Sequence, residues 1–201
     1  MTITYVCGNS LYINLTNRCS NRCAFCVRDK HDDVNGEDNL WLDREPTEEE
    51  IKADISKREL SDYDSIVFCG FGEPFERYET VLSVAKWIKE KYGDFPIRVN
   101  TNGQGNLIAG EDITPKMKGI IDTVSISLNT DTAEKYDKLC KSRYGICAYS
   151  AILDFAKESA KYVSEVIFSV VDRVLSPDEI EACRKIAKEC GVSFRVREYI
   201  E

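Results

Sequence analysis

Leu11-Tyr-Ile-Asn-Leu-Thr16-Asn-Arg-Cys19-Ser-Asn-Arg-Cys23-Ala-Phe-Cys26 joins an alternating apolar segment to three closely spaced cysteines. The alternation over Leu11–Thr16 has the period of a β-strand, so the cysteines follow directly where a strand ends. Three thiolates at C-x3-C-x2-C can hold three irons of a 4Fe–4S cluster and leave the fourth without a protein ligand. Most iron–sulfur clusters take four cysteines. An iron kept open for a small molecule is the condition for chemistry rather than plain electron transfer. Zinc is the rival: His31, the single histidine, lies five residues past Cys26 and completes a Cys3His set. Structural zinc sites usually gather their ligands as two separated pairs, and this would be one unbroken run. A zinc-stabilised interaction module without catalysis stays open on these residues alone.

Outward from that stretch, apolar strands alternate with helical patterns. A short strand at Ile3–Cys7 precedes Leu11–Thr16 across the turn Gly8-Asn9-Ser10. Further strands are expected at Ser65–Cys69, Ile97–Asn100, Thr123–Leu128, Val166–Val171 and Ser193–Glu198. Helices are expected near 47–60, 77–92, 115–121, 131–140, 148–163 and 177–190. Thr47 with Glu50, and Ser176 with Glu179, have capping-box spacing. Pro115 and Pro177 suit first helical positions, and Gly93 and Gly191 follow helix ends. Six strand–helix repeats imply a parallel sheet with right-handed crossovers. The expectation is a single-domain α/β fold over residues 1–201, a partial (βα)6 TIM-like barrel. Its functional residues should gather at the C-terminal strand ends. Residues 19–26 form the cysteine loop, and the one long irregular segment is 27–46.

Polar residues do gather at those ends. Gly70-Phe71-Gly72-Glu73-Pro74 follows Ser65–Cys69, and Asn100-Thr101-Asn102-Gly103 ends the next strand. In the strand after that, Val124, Ile126 and Leu128 share one face while Ser125, Ser127 and Asn129 share the other. The serine row suggests a ligand-facing surface, with a half-solvated strand as the plainer alternative. Arg195 and Arg197 share one face of the last strand, opposite Phe194 and Val196. Inside a barrel they would need anionic partners, and Arg197 would bind either a cofactor carboxylate or an anionic substrate, with an exposed strand edge as the plainer alternative. Cys183 and Cys190 fall on the apolar stripe of one helix and read as core, and Cys69, which ends a strand and could face the site, is expected to serve packing instead.

Composition narrows the setting. A formal charge of −8 argues against broad nucleic-acid binding, though it leaves room for a local basic pocket. No apolar run approaches the roughly 18 residues that span a bilayer, so no membrane partner is expected. Nine cysteines are an odd count, and the N-terminus does not resemble a signal peptide. A reducing, cytoplasmic location follows as the expectation.

The cysteine run with an aromatic before its last member, followed by Gly-Glu-Pro after the next strand, resembles the radical S-adenosylmethionine superfamily. The likeness extends through Asn39-Leu-Trp-Leu-x-x-Glu45-Pro46-Thr47, Phe68–Pro74, Arg98–Gln104 and Phe194-Arg-Val-Arg-Glu-Tyr-Ile-Glu201. Those stretches resemble the short radical proteins associated with TatD-type nucleases. The resemblance implies a 4Fe–4S cluster on Cys19, Cys23 and Cys26 and S-adenosylmethionine as co-substrate. It also implies an electron donor such as flavodoxin or ferredoxin. Reductive cleavage would give a 5′-deoxyadenosyl radical that abstracts hydrogen from a substrate. The protein's part would be orientation and exclusion of competing reactions. By position, Phe25 would pack near the adenine, and Gly72 and Glu73 would meet the methionine amino group. Asn102 and Ser127 would contact the ribose, and Arg143 would pair with the methionine carboxylate. Ser169–Val171 is a further candidate stretch. The likeness of a small open barrel to enzymes that activate another protein leaves a protein substrate and a small molecule both open.

Overall fold

The computed structural model describes residues 1–32 and 39–199. Seven strands lie in one sheet in chain order: β1 Thr4–Cys7, β2 Ser10–Ile13, β3 Ser65–Phe68, β4 Ile97–Thr101, β5 Thr123–Ser127, β6 Glu165–Val171 and β7 Ser193–Arg197. β1 and β2 form an antiparallel hairpin whose turn starts at Gly8, where φ is 56°. Glycine adopts that left-handed conformation without steric cost. From β2 to β7 every neighbouring pair is parallel. The strand order never reverses, so the sheet winds in one direction like a barrel. Among the described residues β7 pairs only with β6, and the barrel is open. This is the expected partial barrel of six parallel strands, with the β1 hairpin strand added at one edge.

The strands form because alternate residues bury. Leu11, Ile13, Ile66, Phe68, Val99, Val124, Ile126 and Phe168 are fully or almost fully buried. Each large aliphatic or aromatic side chain buried this way contributes about 1.5–3 kcal/mol. They pack against helices that include α1 Glu48–Ile55, α2 Tyr78–Tyr92, α4 Ala133–Cys140, α5 Cys147–Ser159 and α6 Pro177–Cys190. The short α3, Gly105–Ala109, was not anticipated. The other strand face mixes polar side chains with Val67, Ile167 and Val171. Register puts Asn100 beside Ser125, Ser127 beside Ser169, and Ser169 beside Arg195.

Both capping boxes form, Thr47 with Glu50 and Ser176 with Glu179. The expected helix at 115–121 is only a 3-10 turn, Thr114–Met117. Lys118 leaves the helical region at ψ 123°, and Gly119 follows at φ 75°. Residues 27–46 form a 3-10 turn at Val27–Asp29, while 33–38 lie outside the described residues. Leu40 and Leu42 are buried, and Asn14 and Asn17 donate to their carbonyls at 2.7 and 2.8 Å. Among the described residues no helix is long and apolar enough to cross a membrane.

Ser176 accepts from the Glu179 backbone at 3.3 Å while Glu179 accepts from the Ser176 backbone at 2.8 Å. Ser176→Ala should therefore cost about 1 kcal/mol, read as a lower urea midpoint with an unchanged slope.

Candidate active site

A cavity of about 260 Å³ opens at the C-terminal ends of the strands. Cys19, Cys23 and Cys26 all line it, with Phe25 between them. The loop that carries them is held from beneath. Backbone N–H groups of Arg22 and Ala24 donate to the carbonyls of Cys140 and Leu139 at the end of α4, each at 2.9 Å. Asn21 donates its amide to the Tyr136 hydroxyl at 2.9 Å and accepts from Gln104 at 2.8 Å. Gln104 also donates to Tyr136 at 3.0 Å and accepts from Ser142 at 2.9 Å. All four residues of this network are buried. Beyond Cys26, Lys30 donates to the Tyr199 hydroxyl and lies over its ring. The cysteine loop thus reaches the segment after β7 across the gap that β-pairing leaves open.

Gly72 and Glu73 fix the other side of this loop. A Cβ on Gly72 would stand 2.2 Å from the Thr16 carbonyl oxygen and 2.6 Å from that of Arg18. Only glycine fits so close an approach. The Glu73 N–H donates to the Arg18 carbonyl at 2.8 Å. Its carboxylate accepts from Thr101 Oγ1 at 2.7 Å, from the Asn102 N–H at 2.6 Å and from the Phe75 N–H at 3.1 Å. Burial nevertheless raises the Glu73 carboxyl from 4.5 to about 7, against the pull of those three hydrogen bonds.

The residues expected to serve a ligand divide. Phe25, Gly72, Glu73, Asn102 and Ser127 line the cavity with the three cysteines, as do Ser169 and Val171. Asn102 also works within the protein, donating to Ser20 Oγ at 2.8 Å and accepting from the Gln104 N–H at 3.0 Å. Arg143 is not among the lining residues. Its Nη1 lies 3.0 Å from Glu76 Oε1, whose side chain is 5% exposed, and its Nη2 donates to Tyr144. Cys69, expected to serve packing, lines the cavity instead. Cys183 is buried, as its helical stripe implied, and Cys190 is half-buried.

Gln104, Asn21, Tyr136 and Ser142 carry no motif and were missed. Cys140 is a buried thiol beside Cys23 that accepts from Asn129 at 3.4 Å.

The donor set fits an iron–sulfur cluster. Soft thiolates favour such clusters, and donors already face one of the sulfurs. The Asn21 N–H lies 3.4 Å from Cys19 Sγ and the Asn102 amide 3.9 Å from it. Burial holds the Cys19 thiol up at about 12 and raises Cys26, while the Cys140 thiol and burial together raise Cys23. Metal binding would have to displace those protons. Among the described residues no three His, Cys, Asp or Glu side chains converge on one ion, and His31 does not line the cavity. A tetrahedral zinc on Cys19, Cys23, Cys26 and His31 needs such convergence. A cluster does not, because each thiolate binds a different iron.

The Radical SAM superfamily model matches residues 13–187, and the chain belongs to that superfamily. Its members are enzymes that use a 4Fe–4S cluster and S-adenosylmethionine. One relative is a probable dual-specificity RNA methyltransferase, RlmN 1, of Protochlamydia amoebophila, 29% identical over 78% of this chain and 43% of its own. Another is a probable GTP 3′,8-cyclase of Thermococcus kodakarensis, 29% identical over 94% of this chain and 56% of its own. The chain thus spans about half the length of the curated relatives it matches. Among solved structures, Streptococcus suis SuiB bound to the precursor peptide SuiA superposes with a TM-score of 0.67. That match has 19% identity and covers 96% of this chain and 40% of SuiB. HydG, a maturase of the [FeFe]-hydrogenase, also gives 0.67, at 18% identity over 95% of this chain and 42% of its own. At these identities the two structures speak for the fold alone.

Two measurements test the site's architecture. Tyr136→Phe removes the hydroxyl that accepts from both Asn21 and Gln104, two buried donors, and should cost about 1–3 kcal/mol by urea denaturation. The Glu73 carboxyl is raised in the folded state, so its contribution to stability is complete below about 4.5 and lost as pH rises through about 7. Measured against Glu73→Gln in metal-free protein, the wild type should lose stability across that window. A flat difference would contradict the assignment.

Proposed function

We propose that this chain reductively cleaves S-adenosylmethionine and directs the resulting radical onto a substrate. The observation that carries the reading is the meeting of Cys19, Cys23 and Cys26 with Gly72, Glu73, Asn102 and Ser127 around one cavity. When bound by the three cysteines, a 4Fe–4S cluster supplies an open iron for the methionine end and an electron for cleavage to methionine and a 5′-deoxyadenosyl radical. Phe25 offers an apolar ring to the adenine. Ser127 offers a hydroxyl to the ribose, and Asn102 holds the cysteine loop while facing the same space. Gly72 lets the chain after β3 close onto the carbonyls of Thr16 and Arg18, which sets the cysteines against that wall. Arg143, engaged with Glu76, would have to leave that partner to reach a carboxylate in the cavity.

Within the superfamily we place the chain with the short TatD-associated proteins, on the stretches around Asn39, Phe68, Arg98 and Phe194. A flavodoxin- or ferredoxin-like protein would deliver the electron. The nine cysteines are all free thiols, which suits a reducing cytoplasm. The substrate is a small molecule or a group on a protein, and the open edge beside β7 gives either a way in.

Protein reconstituted without oxygen, then given dithionite and S-adenosylmethionine, should yield 5′-deoxyadenosine by mass spectrometry. Cys23→Ala should yield none. A colourless protein that retains zinc in air would overturn the reading.

A further inference from the structure

The concave face gathers positive charge in a protein whose formal charge is −8. Arg195 and Arg197 stand two residues apart on β7, so their side chains leave the same face about 6.6 Å from one another. Both line the cavity. Arg195 Nη2 reaches Ser125 Oγ at 3.5 Å, and Arg197 Nη2 reaches Ser127 Oγ at 3.3 Å. Arg98 stands one layer deeper on β4 and donates to the Tyr12 hydroxyl at 3.2 Å. The Nε groups of Arg98 and Arg197 are buried and donate to nothing. Among the described residues none of the three guanidiniums is in an ion pair. Two acids share the cavity wall, Glu73 and Glu198. Glu73 spends its oxygens on Thr101, Asn102 and Phe75, and Glu198 pairs with neither arginine.

Arginine cannot shed its proton to relieve this arrangement. Arg197 is half-buried with its Nε sealed from solvent, and a cation so placed without a counter-charge is costly; Arg195, exposed at the strand edge, adds repulsion beside it. Serine hydroxyls are neutral acceptors and offset little of that. The missing element is an anion whose oxygens match the guanidinium fork, as those of a carboxylate or phosphate do. Once such a group draws the arginines, the hydroxyls of Ser125 and Ser127 become free to donate to it.

We infer that Arg195 and Arg197, with Ser125 and Ser127, form a subsite for an oxyanion, a carboxylate or phosphate, carried by the substrate. The inference rests on the function proposed above for the other end of the cavity. There the co-substrate's single carboxylate would go to the open iron of a cluster held by Cys19, Cys23 and Cys26, which would leave the charge on β7 for the second ligand. The substrate is then an acid, held by its anionic group at β7 while its reacting carbon faces the cysteine side.

The test uses full-length protein in chloride buffer at constant ionic strength, both as isolated and after cluster reconstitution. Thermal unfolding is followed while inorganic phosphate or acetate is titrated, and S-adenosylmethionine binding is measured separately by equilibrium dialysis. At least one anion should raise the melting temperature saturably. Arg195→Gln and Arg197→Gln should each weaken that response at least tenfold, and Lys86→Gln, on the outer face of α2, should not. Response to acetate identifies a carboxylate subsite, and response to phosphate alone a phosphate one. Arg197→Lys, which keeps the charge without the fork, guards against misfolding and should fall between wild type and Arg197→Gln. No stabilisation by either anion overturns the inference. So does a loss of S-adenosylmethionine binding in step with the anion response, because the pair would then serve the co-substrate. Saturable anion binding by a protein that forms no 5′-deoxyadenosine would leave the subsite standing and remove the proposed reaction.

Discussion

The arrangement around the cavity depends on one buried carboxylate. Glu73 receives hydrogen bonds from the end of β4 through Thr101 and Asn102, and from the chain that follows it through Phe75. Its own N–H reaches back to Arg18, just before the first cysteine. Three segments far apart in sequence therefore share one residue. Asn102, positioned by Glu73, passes the constraint on to Ser20 and faces Cys19. A carboxylate with no room for water is expensive unless its lone pairs are filled, and here each oxygen has a donor. The same buried position that raises its proton affinity makes its geometry exact enough to set the cysteine loop.

Charge is distributed unevenly for a related reason. Several acids of this acidic chain stand in the first turns of helices, such as Glu48-Glu49-Glu50 and Asp178-Glu179, where they complement the helix dipole. The concave face carries serines, asparagines and arginines. Such a face contributes little to stability by itself. Its cost is carried by the apolar face on the other side of the same strands, where Val124, Ile126 and Phe168 are fully buried. Alternation along a strand lets one face hold the fold while the other stays available for a ligand.

That alternation explains what could be read in the sequence. The serine row on β5, the paired arginines on β7, both capping boxes and the order of strands all follow from local periodicity and spacing. What was not legible depends on long-range partners. The resemblance assigns Arg143 to a ligand carboxylate, yet Glu76 lies 3.0 Å from it, and no local pattern announces that pair. Asn21 and Tyr136 are 115 residues apart, and their hydrogen bond exists only because α4 ends beneath the cysteine loop. Gly72 reads as a glycine needed by a ligand, but its nearest neighbours are the carbonyls of Thr16 and Arg18. The 115–121 segment has a proline at its start and helix-forming residues after it, but the chain leaves the helical region at Lys118, just before Gly119 turns to positive φ.

The cysteine loop has a second consequence for the cavity. Among the described residues β7 has no strand beside it other than β6, so the barrel wall is incomplete between β7 and the β1–β2 hairpin. At the mouth that gap is crossed by Lys30 on Tyr199, four residues beyond Cys26 on one side and two beyond Arg197 on the other. The Tyr199 N–H is held in turn by Asp172 at 2.6 Å, and the Asp172 N–H donates to the Arg197 carbonyl at 2.8 Å. The segment that presents the cysteines and the strand that presents the arginines are thereby joined. Order in one favours order in the other, since each contact immobilises a side chain already fixed at its far end. An open barrel can in this way keep the wall of cysteines and the wall of arginines in register without closing its sheet.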